Sequence, residues 1–203
     1  MKPFPFGCLR PAALAALAAP AREVRAAQVE LEPLGGVVAA ALAGAAAPAP
    51  WQHYPAGDVY DPRSHAQFFY HAHPENARSA GEGGHFHAFL RAGGMPPGVR
   101  PLVLPELAIA GSPGAPLAPS APEGETGEPW CHLVAIAMGA DEPLRLFTTN
   151  RWVTGETWYR AADAAAMLGR FALGPVGPVP PLNRWVAGVV ALYRIEITAL
   201  LKA

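Results

Sequence analysis

Two short segments rich in histidine and aromatic residues constrain the fold more than any other part of the chain. Residues 67–73 read Gln-Phe-Phe-Tyr-His-Ala-His, and residues 85–91 read His-Phe-His-Ala-Phe-Leu-Arg. Both segments have the length and the aromatic enrichment of strands, and the connection between them contains asparagine and several glycines. Because no helical segment separates them, a parallel βαβ unit is excluded and an antiparallel pair is predicted.

Patterns on both sides of this pair indicate an α+β protein. Residues 132–138 and 144–149 flank a Gly-Ala-Asp-Glu-Pro turn, which is typical of a second hairpin. Residues 11–32 are rich in alanine and predict a helix that is broken near Pro20. Apolar residues at helical spacing follow Thr154 and Asn183, each a plausible helix start. We therefore predict an antiparallel sheet built from hairpins, with N-terminal and C-terminal helices packed on it.

The length of 203 residues fits one domain with a short extension. We predict a helical N-terminal extension at residues 1–36 and a single α+β domain at residues 37–203. This domain contains a loop rich in proline and glycine at about residues 92–129.

Charge and hydropathy narrow the classes of partner. The formal net charge is −1 and no basic stripe is present, so no nucleic-acid partner is expected. No apolar segment is long and uncharged enough to span a bilayer, so no membrane partner is expected either. A small molecule is compatible with this composition, and the sequence does not specify an oligomeric state.

The two cysteines, Cys8 and Cys131, are too few for a thiolate zinc cage or a disulfide framework. A reducing cytoplasm is the simplest compartment for such a chain. The alanine-rich stretch from Leu9 to Ala21 has some features of a secretory signal, but Arg10 and Pro11 interrupt it. We therefore expect a cytoplasmic protein, with export as the less favoured alternative.

Four of the seven histidines form two His-x-His pairs, one in each predicted strand. Alternate side chains of a strand share a face, so His71 points the same way as His73, and His85 the same way as His87. Opposed Cβ atoms of paired strands are about 4.5–5.5 Å apart, which allows inward-pointing rings to share one metal ion. These four histidines are the predicted metal ligands. Glu82 precedes His85 by three residues and could act as a fourth ligand or as a catalytic acid–base group.

His53 is a weaker candidate ligand. It precedes the segment Gly57-Asp58-Val59, and an aspartate-supported turn is the preferred interpretation of this region. The alternative adds His53 or Asp58 to the metal site.

Nitrogen and carboxylate donors without thiolate suit zinc, iron, copper, manganese or nickel. Three protein ligands would leave a coordination position for water or substrate, as in catalytic metal centres, whereas a full set would make the site structural. A metal-dependent enzyme is therefore one hypothesis, and the sequence indicates no substrate or reaction.

Two other interpretations remain open. The histidines could instead pack with the neighbouring phenylalanines in a non-catalytic binding or interaction module. Alternatively, one histidine could be the axial ligand of a haem. No Cys-x-x-Cys-His attachment motif is present, so such a haem would be bound non-covalently.

Several segments resemble an uncharacterised bacterial family known as a domain of unknown function. They are Trp51-Gln-His-Tyr-Pro-Ala-Gly-Asp-Val-Tyr-Asp61, Phe69-Tyr-His-Ala-His73, Glu82-Gly-Gly-His-Phe-His87, Asn150-Arg-Trp-Val-Thr-Gly-Glu156 and Asn183-Arg-Trp185. The resemblance covers most of the chain from about Val37 onward, and it implies no activity.

Overall fold

A computed structural model describes residues 10–102, 129–149 and 157–203. Most of the predicted loop at 92–129 and the predicted helix start at Thr154 lie outside these ranges.

Within the described residues, the sheet contains five antiparallel strands in sequence order, so every one of these strands pairs with its neighbours along the chain. This arrangement confirms the predicted α+β class and both predicted hairpins. The strands are β1 (Tyr54–Tyr60), β2 (Ala66–His71), β3 (Gly84–Arg91), β4 (Trp130–Met138) and β5 (Pro143–Phe147).

The helices come from the two ends of the chain, as predicted. Helix α2 (Val37–Leu42) contacts β1 and β2. Of the C-terminal helices, α3 (Ala161–Met167) contacts β4, and α5 (Arg194–Leu201) contacts β4 and β5. Asp141, in the turn between β4 and β5, accepts a hydrogen bond from the amide of Val38 at 3.1 Å and so ties α2 to the sheet. The helices are α1 (Pro11–Leu31), α2 (Val37–Leu42), α3 (Ala161–Met167), α4 (Pro180–Leu192) and α5 (Arg194–Leu201).

One face of the sheet forms an apolar core with the helices. Phe68 and Phe86 are fully buried on this face, and Phe86 packs against Trp185 of α4 with ring centroids 5.6 Å apart. Each such side chain contributes about 1.5–3 kcal/mol to the free energy of unfolding through burial. Among the described residues, no helix is both long enough and apolar enough to cross a membrane.

The opposite face of the central strands is also buried, although it carries polar side chains. His71, His85, His87 and His132 lie on this face together with Phe69 and Phe89, and each of these histidines is at most 3% exposed. This second buried face holds the candidate site.

Helix α1 runs through Pro20 without interruption, so the predicted break there is wrong. Proline removes one amide donor, and close packing of α1 along α4 compensates for this loss. The α1 residues Ala27 and Leu31 are fully buried in the same core as the later elements. The predicted boundary after residue 36 stays a prediction, but α1 shares its core with the rest of the fold.

The structure also contains a strand that the sequence analysis did not predict. Strand β1 holds Pro55 and Gly57, both typical of turns, and its pairing with β2 is irregular between Tyr54 and Val59. Because Asp58 adopts a positive φ of 60° within this irregular stretch, the local sequence resembles a turn although the chain is paired.

Candidate metal centre

The register between β2 and β3 brings three histidines together. His71 lies directly opposite His85, and Phe69 lies opposite His87. The Nε2 atom of His71 is 2.6 Å from Nε2 of His85 and 3.2 Å from Nε2 of His87. The three residues each offer a ring nitrogen within 4.8 Å of the other two, so together they could hold a metal ion. We call His71, His85 and His87 the histidine triad.

The spacing of these nitrogens is close to that of a metal site. Two imidazole nitrogens bound to one ion at about 2.0–2.1 Å in tetrahedral geometry lie about 3.3 Å from each other. The observed 2.6 and 3.2 Å differ from that value by less than 1 Å. The distances from His71 to the other two triad residues are therefore close to those in a metal site.

Burial keeps the triad neutral. Burial lowers the pKa of His71 to about 2, with a further contribution from the charges that His85 and His73 would carry. Burial also lowers the pKa of His85, and it lowers the pKa of His87 well below its ordinary value. Neutral imidazole is the form that binds a metal, so the triad is in its ligating form at neutral pH.

Glu82 holds the outer nitrogen of His85. The Nδ1–H of His85 donates to Oε1 of Glu82 at 2.7 Å, and Arg145 donates to Oε2 at 2.9 Å. Burial alone would raise the pKa of Glu82, but the hydrogen bonds from Arg145 and His85 outweigh it and keep this pKa below its ordinary value. A charged acceptor on Nδ1 leaves the lone pair of His85 on Nε2, which faces the triad.

His132 holds the outer nitrogen of His87. Nδ1 of His87 is 3.0 Å from Nε2 of His132, whose Nδ1 is 3.3 Å from the hydroxyl of Thr149. If each ring donates through Nδ1, the lone pair of His87 is on Nε2 and also faces the triad. The contact between His87 and His132 was not predicted, because 45 residues separate the two in sequence.

His53 lies above Phe69, next to the triad. Its ring stacks on Phe69 with centroids 3.6 Å apart, and its Nδ1 is 2.9 Å from Oδ1 of Asp58. The centroids of His53 and His71 are 6.1 Å apart. The segment predicted as an aspartate-supported turn belongs to strand β1, and Asp58 within it holds His53 beside the triad.

His73 is the predicted ligand that lies outside the triad. Strand β2 ends at His71, and Ala72 instead forms a bridge with Pro50, with a hydrogen bond from the amide of Trp51 at 2.9 Å. This change of partner turns the ring of His73 against Trp51, with centroids 4.5 Å apart. The ring of His73 remains about 5 Å from those of His71 and His85, which places it at the rim of the site.

Comparison with known families supplies an independent classification. The model of the domain of unknown function DUF6969 matches residues 18–203. No curated protein and no solved structure matches the chain. The matched region contains the whole triad together with Glu82 and His132. Since it spans nearly the whole chain, this protein belongs to the DUF6969 family.

Proposed function

We propose that this protein binds one transition-metal ion through the Nε2 atoms of His71, His85 and His87. The observation that carries the proposal is the convergence of three buried, neutral imidazoles on one point. The partners of His85 and His87 support it further, because histidine ligands usually donate their second N–H to a carboxylate or another acceptor.

The donor set also bears on the metal and on its use. Three imidazoles without a carboxylate ligand suit zinc, copper, iron or nickel better than manganese. Three protein ligands leave a position for water or a small molecule, which is the arrangement of catalytic metal centres. The proposal therefore extends to a metal-dependent enzyme, with hydrolytic chemistry for zinc and redox chemistry for copper or iron.

The rival interpretation treats the histidines as packing residues in an aromatic cluster. Phe69 does contact the rings of His71 and His87, at centroid distances of 5.5 and 5.1 Å. Without a metal, a hydrogen bond would account for one of the two short contacts between Nε2 atoms, but not for both. At most one hydrogen can lie between two such nitrogens, and His71 has two of these contacts with one Nε2 atom. A shared ion satisfies all three lone pairs.

The test is the metal content of tag-free protein, measured by plasma mass spectrometry after expression with zinc, copper, iron and nickel each supplied. We expect close to one ion per chain in the wild type and almost none in the His71→Ala/His85→Ala variant. The matched control is His65→Asn, which removes a histidine outside the triad. Nδ1 of His65 is hydrogen-bonded to the hydroxyl of Tyr60 at 2.7 Å. Asparagine tolerates the positive φ of 60° at that position.

Metal in the control and none in the double variant would support the proposal. The proposal would be refuted if the folded wild type contained much less than one ion per chain with each of the four metals supplied. The packing interpretation would then be the better one.

A further inference from the structure

We propose that His53, held by Asp58, is the outer hydrogen-bonding partner of His71 and acts through one bridging water. This inference rests on the proposed metal site and adds a positioning residue to it. His53 does not coordinate the ion in this proposal; it fixes the orientation of a residue that does.

The hydrogen bond with Asp58 determines which ring nitrogen of His53 carries the proton. Its Nδ1 is 2.9 Å from Oδ1 of Asp58, whose side chain is fully buried. A carboxylate only accepts hydrogen bonds when ionised, so Nδ1 of His53 carries the proton and Nε2 is an acceptor. Stacking on Phe69, with an angle of 8° between the rings, fixes the plane in which Nε2 can point.

The proposed metal site determines which ring nitrogen of His71 carries the proton. A neutral histidine that binds an ion through Nε2 carries its proton on Nδ1, so this atom is a donor. Nδ1 of His71 and Nε2 of His53 are both buried, and neither has a hydrogen-bond partner among the described residues. A buried polar atom without a partner costs about 1–3 kcal/mol. One unmatched donor and one unmatched acceptor therefore lie on neighbouring rings.

The distance between the rings of His53 and His71 decides how these two nitrogens can be connected. The two ring centroids are 6.1 Å apart and the rings are nearly perpendicular, at 81°. The two nitrogens make no direct hydrogen bond with each other. One water that accepts from His71 and donates to His53 would satisfy both. With that water, each triad histidine has an outer partner that is itself held by a further side chain. These supporting pairs are Glu82 with Arg145, His132 with Thr149, and His53 with Asp58.

The support behind His53 continues into the sheet. Gln67 donates to Oδ2 of Asp58 at 2.8 Å, and Arg91 donates to Oε1 of Gln67 at 2.7 Å. Arg91 is fully buried. This chain of hydrogen bonds keeps Asp58 in place. The orientation of His53 is therefore fixed by Asp58 at Nδ1 and by the stacking of its ring on Phe69.

The experiment measures Co²⁺ affinity by competition with a chromophoric chelator, together with the visible absorption spectrum of bound Co²⁺. His53→Phe fills the same space and can still stack on Phe69, but it has no acceptor. His53→Gln places an amide oxygen near the position of Nε2 and restores one. Removing an outer partner of a histidine ligand typically costs 10-fold to 100-fold in metal affinity. We expect a loss in that range for His53→Phe, a smaller loss for His53→Gln, and none for the His65→Asn control.

The outcomes separate this inference from the proposed function. Wild-type Co²⁺ affinity in His53→Phe would overturn the inference and leave the triad as the proposed metal site. Equal losses of affinity in His53→Phe and His53→Gln would also overturn it, because they would indicate that His53 acts through packing and not through its acceptor nitrogen. A changed coordination number of Co²⁺ in His53→Phe would also overturn it, because His53 would then be a direct ligand. Failure of the wild type to bind Co²⁺, zinc, copper, iron or nickel would instead refute the proposed function.

Discussion

Both carboxylate oxygens of Glu82 are already engaged, one by His85 and the other by Arg145. Its contact with the triad is through the outer nitrogen of His85, on the side away from the converging Nε2 atoms. A direct ligand would need an oxygen lone pair that faces the inner side. These contacts favour an orienting role, and the sequence-based hypotheses of a fourth ligand or an acid–base group stay predictions.

Glu82→Gln tests this assignment at the residue scale. The amide can still accept from His85 but lacks the charge that increases the basicity of the imidazole, so we expect metal affinity to fall about 10-fold to 100-fold. The visible spectrum of bound Co²⁺ should keep its shape, because the ligand set is unchanged. Glu75→Gln, at an exposed position of the same loop, is the control and should match the wild type. A Glu82→Gln spectrum with a different coordination geometry would make Glu82 a ligand.

Asp61 provides a residue-scale prediction that does not depend on a metal. Its Oδ2 accepts from the amide of Gly174 at 2.6 Å and its Oδ1 from the amide of Arg63 at 2.8 Å. Burial alone would raise the pKa of Asp61, but these backbone hydrogen bonds, with one from Ser64, keep it below its ordinary value. Asp61 therefore stabilises the fold above the ordinary Asp pKa, and this contribution is lost as the pH falls through its lowered value.

Asp61→Asn should therefore lower the free energy of unfolding by about 1–3 kcal/mol at pH 7, because a buried acceptor is lost. The difference from the wild type should shrink as the pH is lowered below about 4, the ordinary Asp pKa, because the unfolded wild type then binds a proton more readily than the folded protein, whose Asp61 pKa is lower. Urea denaturation at several pH values measures both quantities. Exposed Glu32 supplies the control Glu32→Gln, and an Asp61→Asn deficit that is the same at every pH would contradict the linkage argument.

At the scale of elements, the contact between α1 and α4 depends on one glycine. A Cβ atom built at Gly188 would lie 2.8 Å from Cγ2 of Val24 and 3.4 Å from its backbone nitrogen. Alanine favours a helix over glycine by about 0.5–1 kcal/mol, but overpacking typically costs about 1–3 kcal/mol. Steric crowding should therefore prevail at this position.

We expect Gly188→Ala to lower the free energy of unfolding by about 1 kcal/mol despite its better helix propensity. In a Val24→Ala background the same substitution should be less costly or even stabilising, because the crowding methyl group is gone. The double-mutant cycle should give a coupling of about 0.5–3 kcal/mol, measured by urea denaturation. Additive effects of the two substitutions would refute the proposed close contact.

The strands β2 and β3 were predictable from sequence because alternation and aromatic enrichment are local properties. Their register was not, since residues 74–84 form too long a connection to specify which histidine opposes which. The structure pairs His71 with His85 directly, which puts three of the four predicted ligands into one group. His73 lies outside because β2 ends when Ala72 pairs with Pro50, a partner that no pattern in the strand itself indicates.

The supporting residues were less predictable than the triad. Glu82 and His53 are close to the histidine segments in sequence, and both were named as candidates. His132 lies on β4 and Arg145 on β5, and these strands reach the site only through sheet pairing. A single sequence contains no local signal for such contacts.

At the scale of the whole molecule, the two faces of the sheet have different sources of stability. The helix-facing side is an apolar core, with Phe68, Phe86 and Trp185 fully buried. The other side buries a cluster of neutral histidines whose inner nitrogens lie close together. The first face needs no ligand, whereas on the second face the proposed ion would supply a partner for these lone pairs.

Removal of the metal should therefore lower the melting temperature without unfolding the protein. A ligand that binds only the native state adds about 2.7 kcal/mol of stability at 100 times its Kd and about 4.1 kcal/mol at 1,000 times. For a domain of about 200 residues, 1 kcal/mol shifts the melting temperature by about 2–4 °C, so zinc at these concentrations should raise it by about 5–15 °C over the chelated protein. Differential scanning calorimetry measures the shift, and the His71→Ala/His85→Ala variant should show none. Equal shifts in wild type and variant would place the stabilising ion elsewhere. A shift confined to the wild type would assign the stabilisation to the triad, since the apolar core is the same in both proteins.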